Sequence, residues 1–265
     1  MVNRLICVLR KDFSEYIRKK YNILFATVAI FICGGVLVST LLLPSALSII
    51  SAKRPELISD IGAMTDLLTK LFPVDAKGNI GTVASDFCLF YSIVVVLSVY
   101  RVIPNEVDEN KWLTPLLCGY NKQDLFLSKC LIYGAGVGIP VVLLILMYYE
   151  IAISFFDINL SFGDAAVYAI VVGVIEICIC MLTISYSVIC KHSIVVAISI
   201  MGVFLVVPDI FNYFSFGKIL PTYLFTYIYS YSTIHGDVIV PTIVMIAFTA
   251  VSVYLAVRKL KKTSL

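Results

Sequence analysis

The sequence predicts an all-α integral membrane protein with six transmembrane helices and an N-terminal interfacial helix. Of its 265 residues, 60% are hydrophobic and only 14% are charged, and the mean hydropathy is +0.99. A soluble globular domain does not have this composition, because it needs polar surface to face water. Long uncharged runs recur along the chain, and residues 23–43 are the first of them. Such a run is long enough to cross the hydrocarbon core of a bilayer.

Residues 3–20 predict an amphipathic helix ahead of the first span. Its apolar face carries Leu5, Val8, Leu9, Phe13, Tyr16 and Ile17, and its polar face carries Arg4, Arg10, Lys11, Glu15 and Arg18. Asp12 falls within the apolar stripe. A basic amphipathic helix of this kind is expected in the interface of the anionic cytoplasmic leaflet. The alternative is a soluble cytoplasmic helix.

The transmembrane spans are predicted at about 23–43, 83–102, 130–149, 165–188, 193–207 and 238–257. Pro44 should end the first span, and Pro208 with Asp209 should end the short fifth one. A long extracellular loop is expected over residues 44–82. Within this loop, apolar residues recur at helical spacing from 57 to 71 and predict a helix that packs onto the membrane domain.

The loop over residues 101–129 is a charged island between two apolar runs. Trp112, Leu113, Leu116 and Leu117 interrupt its charges at mostly helical spacing. This pattern predicts a short amphipathic helix that lies across the membrane surface and offers an apolar ridge, with Trp112 at its edge, to a soluble partner. Asn121 followed by Asp124 predicts the start of the next helix. The alternative is an ordinary solvated loop.

The segment over residues 208–235 is rich in aromatic residues and is interrupted by Pro208, Gly217 and Pro221. We predict a re-entrant extracellular hairpin of two half-helices, because irregular backbone at membrane depth needs protein or water to satisfy it. A tilted interfacial loop is the alternative. In the hairpin interpretation, a plug over the outer end of a pathway is formed by Phe211, Tyr213, Phe214, Phe216, Tyr223, Phe225, Tyr227 and Tyr229.

Glu176 is the ionisable residue that lies deep within a predicted span. Inserting it costs on the order of 3 kcal/mol, so it should face the bundle or a cavity. It is either a polar or protonatable contact in a transport pathway or a buried hydrogen-bonding group. In the second case its expected partner is a hydroxyl on a neighbouring helix, such as that of Thr27, Ser39 or Ser199.

The distribution of basic residues predicts that both termini are cytoplasmic. Of 20 lysines and arginines, this topology leaves outside only Lys53, Arg54, Lys70, Lys77 and Lys218. Four of these five lie in the one long loop, which has little influence on orientation. The eight cysteines lack paired spacing, and several lie in apolar runs. We therefore expect neither a disulfide framework nor a metal site.

These features together resemble a small ABC-2-type transporter permease, the membrane subunit of a type V ABC exporter. The loop of that family has a Glu, a Gly-Thr turn, a Leu-rich patch, a small turn, an acidic-Leu pair and a Lys that opens span three. The matching positions here are Glu106, Leu113, Leu116, Leu117, Gly119, Asp124, Leu125 and Lys129. Asn110, Lys111 and Trp112 stand in place of the Gly-Thr turn, and residues 219–225 (ILPTYLF) are similar to the Pro-containing turn of the family's hairpin.

The resemblance implies that the N-terminal helix is an elbow helix and that the 101–129 loop contains a coupling helix for a separate ABC ATPase subunit. The implied ATPase-coupling residues are Glu106, Trp112, Leu113, Leu116, Leu117, Asp124 and Lys129. We assign the pathway and gate to Glu176, Phe211, Tyr213, Phe214, Phe216, Pro221, Tyr223 and Phe225. The expected location is the plasma membrane, beside a second permease copy or a related permease.

The sequence contains no G-x-x-x-x-G-K-[ST] phosphate loop, H-E-x-x-H or G-x-S-x-G motif. We therefore predict a subunit that is not an enzyme, with no cofactor bound by this chain and with ATP and Mg on the partner. No nucleic-acid partner is expected, and the apolar interior favours an amphipathic or hydrophobic cargo such as a peptide, antibiotic or lipid. The alternatives are an ion-coupled carrier that uses Glu176 and a non-transporting immunity or scaffold protein.

Overall fold

A computed structural model describes residues 2–53, 76–155, 161–190, 193–211, 215–229 and 236–262. Every regular element in these ranges is a helix, so the all-α class is confirmed for the described part of the chain. The predicted N-terminal amphipathic helix is present as α1, Val2–Arg18.

The remaining elements follow in chain order. They are α2 (Tyr21–Lys53), α3 (Ala76–Asp86), a π-helical turn (Phe87–Tyr91), α4 (Ser92–Val99), α5 (Val102–Asp108), α6 (Leu113–Leu117), α7 (Lys122–Phe155), α8 (Phe162–Ile189), α9 (Ser193–Phe211), a 3-10 turn (Ser215–Ile219), α10 (Tyr223–Tyr229) and α11 (Gly236–Lys262).

Five helical stretches in the described ranges are long and apolar enough to cross a membrane. They are Tyr21–Leu42, Ile80–Asp108, Lys122–Phe155, Phe162–Ile189 and Asp237–Lys262. Helix α9 adds a shorter apolar stretch, Ile194–Val203, and it continues through Pro208 and Asp209 to Phe211, so these residues do not end the helix as predicted. The chain is therefore a multi-span membrane protein, and five of the predicted spans have the required length.

The apolar stretch of the first span ends at Leu42, next to Pro44 as the sequence predicts, but the helix itself does not end there and continues to Lys53. Proline is tolerated within membrane helices when neighbouring groups satisfy the carbonyl that it frees. Helix α3 begins at Ala76, so the expected loop over residues 44–82 is helical at both ends. The predicted helix over residues 57–71 lies outside the described residues.

Helix α8 is the centre of the bundle. In the most apolar 18-residue stretch of α8, 72% of the residues are buried, whereas the corresponding stretches of α2 and α11 are 28% buried. Its closest neighbour is α7, and glycines lie where the two helices approach each other most closely. A Cβ atom placed on Gly138 would lie 2.8 Å from the carbonyl oxygen of Gly173, and one placed on Gly173 would clash with Val142 Cγ2. Small residues of this kind allow membrane helices to approach closely.

Helices α1, α5 and α6 lie at the same end of the bundle as the C-terminal ends of α8 and α11. Lys259 Nζ in α11 donates to the carbonyl of Ile189 at 2.7 Å, and a cleft beside it is lined by Val107, Trp112, Cys190 and Leu260 among others. We call this the α1 end. Helix α10 lies against α3, α8 and α11, and Tyr227 stacks on Tyr168 there with ring centroids 5.5 Å apart.

Candidate functional site

A buried group of charges joins α1, α5 and α7 at the α1 end. Lys129 Nζ lies 2.7 Å from Glu106 Oε1, 3.1 Å from Asp12 Oδ1 and 3.1 Å from Glu15 Oε2. Lys19 Nζ lies 2.8 Å from Glu15 Oε1 and 3.7 Å from Glu106 Oε1. We call Asp12, Glu15, Lys19, Glu106 and Lys129 the Lys129 cluster.

The pKa values of two carboxyl groups in the cluster, those of Asp12 and Glu15, shift in opposite directions. Burial raises the pKa of Asp12, although the Lys129 charge and a hydrogen bond from the Ser128 hydroxyl act against that rise. Burial alone would also raise the pKa of Glu15, but the hydrogen bond from Lys19 and the charge of Lys129 outweigh it and lower the pKa to about 2. Glu15 is therefore ionised at neutral pH.

The side chain of Lys129 is only 2% exposed, so its charge depends on the neighbouring carboxylates. A buried ion pair adds little to net stability, but removing one partner from it is costly because the remaining charge stays buried. The cluster thus fixes the position of α1 and α5 on α7 more than it strengthens the fold. The sequence predicts Glu106 and Lys129 as site residues, and the structure brings them together.

Trp112 is buried, which contradicts the prediction that it lies at the edge of a ridge offered to a partner. Its side chain packs into the core, and its indole Nε1 donates to Glu106 Oε2 at 3.0 Å. A buried indole needs a hydrogen-bond acceptor, and one carboxylate oxygen of Glu106 supplies it. The other oxygen of Glu106 accepts a hydrogen bond from Lys129 Nζ. Trp112 therefore supports the loop from inside its own chain.

Two left-handed residues shape the loop around α6. Asn110 has φ +56° and Gly119 has φ +84°. Asn110 stands at the position of the Gly-Thr turn in the loop pattern that this sequence resembles. After each, a backbone N–H reaches back over the preceding helix: Lys111 N–H donates to Glu106, and Tyr120 N–H donates to Pro115. This is the Schellman pattern of helix C-termini, which favours Gly or Asn at the left-handed position. The turn predicted at Gly119 is confirmed.

The exposed part of the predicted patch consists of Leu113 and Leu117, which are 56% and 79% exposed. Leu116 is half-buried against the core. Asp124 is buried in the first turn of α7, where its backbone N–H donates to the carbonyl of Asn121 at 3.1 Å. The predicted helix start at Asn121 is therefore confirmed, and Leu113 and Leu117 together form what we call the leucine ridge.

Helix α1 also binds α7 at a proline. Pro140 has no N–H to donate to the carbonyl four residues earlier, which belongs to Gly136. The Tyr16 hydroxyl donates to that carbonyl at 3.1 Å, and the Tyr91 hydroxyl donates to the carbonyl of Val137 at 3.2 Å. Two tyrosines from other helices thus satisfy the backbone around Pro140.

Glu176 is fully buried in α8. Ser92 Oγ, at the start of α4 and directly after the π-helical turn, donates to Glu176 Oε1 at 2.7 Å. The predicted hydrogen bond to a neighbouring serine is present, but its donor is Ser92 and not Thr27, Ser39 or Ser199, because the buried face of α8 contacts α4. Glu176 Oε2 accepts no hydrogen bond from the described residues.

The aromatic segment contains two short helical elements between α9 and α11, namely the 3-10 turn and α10. Phe225 is 1% exposed within its own chain, and Pro221 and Tyr223 are half-buried. Tyr213 and Phe214 lie outside the described residues, as do the side chains of Phe211, Phe216 and Tyr229. Of the predicted plug, Phe225 and Tyr227 therefore contribute to the internal packing of the bundle.

The sequence prediction missed the part of the site that α1 supplies. Asp12, Glu15 and Tyr16 all contact α7, and Asp12 was the visible signal because it interrupts an apolar stripe. Within the described ranges, no three His, Cys, Asp or Glu side chains are placed to hold a metal ion.

The fold and site define a multi-span α-helical membrane protein in which a buried charge cluster holds an exposed leucine ridge. No known family model matches the chain, and no curated protein is significantly similar to it.

Proposed function

We propose that this chain is the permease subunit of an ATP-driven exporter of the ABC-2 type. It has six spans, with α9 as the fifth, and both termini lie on the cytoplasmic side of the plasma membrane. A separate ABC ATPase subunit binds ATP and Mg and docks at the α1 end. A second permease copy or a related permease completes the pathway.

The leucine ridge on its charged support is the observation that favours this proposal. The leucine ridge lies on a five-residue helix, and most of the Leu117 side chain, 79% exposed, is left uncovered by the described part of the chain. The residue before α6 is Trp112, which is bonded to Glu106 and through it to Lys129 in α7. A force applied to the ridge would therefore reach α7 and α1 through the Lys129 cluster.

The cargo and the gate belong to the same proposal. The apolar bundle favours an amphipathic or hydrophobic compound, such as a peptide, antibiotic or lipid. Residues 215–229 of the 208–235 segment lie against α3 and the start of α11, away from the leucine ridge, and the segment acts as a re-entrant extracellular hairpin. Its buried residues, such as Phe225, brace the hairpin, and half-buried residues such as Tyr223 face the pathway.

Removal of the leucine ridge tests the docking. We expect that replacing Leu113 and Leu117 together with Ala reduces co-purification of the co-expressed ATPase subunit at least tenfold, because buried apolar anchors dominate interface energies. The measurement is the ATPase retained on the tagged, detergent-purified chain, together with ATP-dependent transport. Leu143→Ala is the matched control, since Leu143 is similarly exposed in the middle of α7. Full retention of the ATPase by the ridge variant would contradict the proposal.

An ion-coupled carrier is the second candidate, and Glu176 Oε2 is the observation that favours it. A buried carboxyl oxygen without a hydrogen bond is a candidate protonation site. In proteoliposomes, a carrier would transport under a proton gradient without ATP, and Glu176→Gln would abolish that transport. An exporter would need ATP and its ATPase subunit, and Glu176→Gln would change its rate less than removal of the leucine ridge does.

A further inference from the structure

A cleft of about 520 Å³ opens between α1 and the loop that carries the leucine ridge. One wall is formed by Lys11 and Arg18 of α1, and the other by Lys111, Thr114 and Cys118. Thr114 and Cys118 directly follow Leu113 and Leu117, so the same loop carries both the cleft wall and the leucine ridge.

The basic side chains of the cleft are available to a ligand. Lys11 and Arg18 form no ion pair within the described residues, and Lys111 pairs there with Glu109, which is itself exposed. The acidic residue of the cleft, Glu15, is already bound to Lys19 and Lys129. Lys11 and Arg18 therefore add positive charge to the cleft wall that no ion pair among the described residues neutralises.

The orientation of α1 favours a soluble partner over lipid. Ile6, Phe13 and Ile17 form an exposed apolar stripe along α1, which suits the membrane. At about 100° per residue, Lys11 and Arg18 point about 130° away from that stripe. The basic wall of the cleft therefore faces away from the lipid-facing side of the helix.

We propose that the cleft binds an acidic segment of the same soluble protein that docks on the leucine ridge. Naming that protein as the ATPase subunit rests on the proposed function, whereas the acidic chemistry rests on the cleft itself. An apolar contact beside a charged region is the usual anatomy of an interface, and complementary charge mainly accelerates association.

Charge reversal tests this inference on the full chain. We expect Lys11→Glu with Arg18→Glu to slow association of the purified ATPase subunit at least tenfold at about 0.05 M salt, and the difference to shrink at about 0.5 M salt because ions screen exposed charges. The control is Lys261→Glu with Lys262→Glu, which reverses two exposed charges on α11 at the same end. Thermal unfolding of both variants in detergent checks that they are folded.

The native thiols provide a second measurement. Cys7 and Cys118 both line the cleft and are exposed, and the exposed Cys190 lies outside it. Bound ATPase subunit should slow the reaction of a charged maleimide with Cys118 more than its reaction with Cys190. The charge-reversed variant should lose this difference.

The outcomes separate the inference from the proposed function. If charge reversal leaves association unchanged while the ridge variant loses the ATPase, the inference is wrong and the proposed function stands. If the wild-type chain binds no ATPase subunit, both fail. If Lys11 and Arg18 instead control binding to phosphatidylglycerol vesicles, the cleft is a lipid-headgroup site and the inference is overturned.

Discussion

Lys129 is a single side chain on which the arrangement of three helices depends. Its ammonium group contacts Asp12 and Glu15 from α1 and Glu106 from α5. Glu106 in turn binds the indole of Trp112. One substitution in α7 should therefore disturb α1 and the leucine ridge at the same time.

We expect Lys129→Met to lower the free energy of unfolding by about 3–5 kcal/mol, because it leaves carboxylates buried without their cation. The midpoint of thermal unfolding in detergent measures this loss. Lys261→Met, which removes an exposed charge from α11, should change the midpoint little. An equal effect of both substitutions would mean that the cluster does not hold α1 in place.

The lowered pKa of Glu15 predicts a dependence on pH. Since its pKa falls from 4.5 to about 2 on folding, its stabilisation is present above about pH 4.5 and is lost as the pH falls toward 2. Asp12 acts in the opposite sense, because its pKa is raised and protonation favours the folded state. Comparing the stability of the wild-type chain with that of Glu15→Gln isolates the contribution of the Glu15 charge.

The gap in unfolding midpoint between the wild-type chain and Glu15→Gln should therefore be largest at neutral pH and narrow between pH 4.5 and 2. The gap corresponds to at most about 3 kcal/mol, from about 1.4 kcal/mol for each unit of pKa shift. A gap that stays constant over this range would show that the Glu15 charge is not coupled to folding.

At the scale of the element, the close approach of α7 and α8 depends on glycine. We expect Gly138→Ala to destabilise the protein by about 1–3 kcal/mol, because its Cβ would meet both Ile177 and the backbone of Gly173, which cannot rotate away. Unfolding in detergent measures this effect. Gly202→Ala is the control, since nothing lies within 4 Å of a Cβ at that position. A similar loss in both variants would point to a general effect of glycine replacement.

The sequence predicted elements better than it predicted their ends and faces. Gly119 was recognisable because few other residues adopt its backbone conformation, and Asn110 takes a similar left-handed conformation. The continuation of α2 past Pro44 was not recognisable, because it depends on neighbours that the local sequence does not specify. The burial of Trp112 was not recognisable for the same reason. The spacing of apolar residues shows which side chains share a helical face, but not which other element covers that face.

At the scale of the whole molecule, hydropathy identified the class and five long spans, whereas α9 has only the shorter apolar stretch Ile194–Val203. The Lys129 cluster was only partly predictable. Glu106 and Lys129 fitted a motif, but Asp12 and Glu15 are more than 100 residues distant from Lys129, as the 114-residue separation of Glu15 shows. Contacts over such distances follow from the folded bundle and not from local pattern.

The two ends of the bundle give a prediction about orientation. Among the residues that the structure describes, most lysines and arginines lie near the α1 end, so the positive-inside rule predicts that this end is cytoplasmic. In single-cysteine chains, native Cys118 should react with an impermeant maleimide only after the membrane is opened. The cysteine introduced by Lys218→Cys should react with the same maleimide in intact cells. Lys218 is exposed and lies beside Asp237, near the start of α11. Reaction of Cys118 in intact cells would reverse this topology.

The hydrogen bond between Tyr16 and Gly136 has a consequence for biosynthesis. The two residues are 120 positions apart, and a growing chain emerges from its N-terminus. While the intervening helices are being made, Asp12 and Glu15 have no Lys129, so α1 must wait on the membrane surface, where its apolar stripe of Ile6, Phe13 and Ile17 can hold it. Docking of α1 is therefore a late step, and a nascent chain arrested before residue 129 should carry α1 on the membrane but free of the bundle.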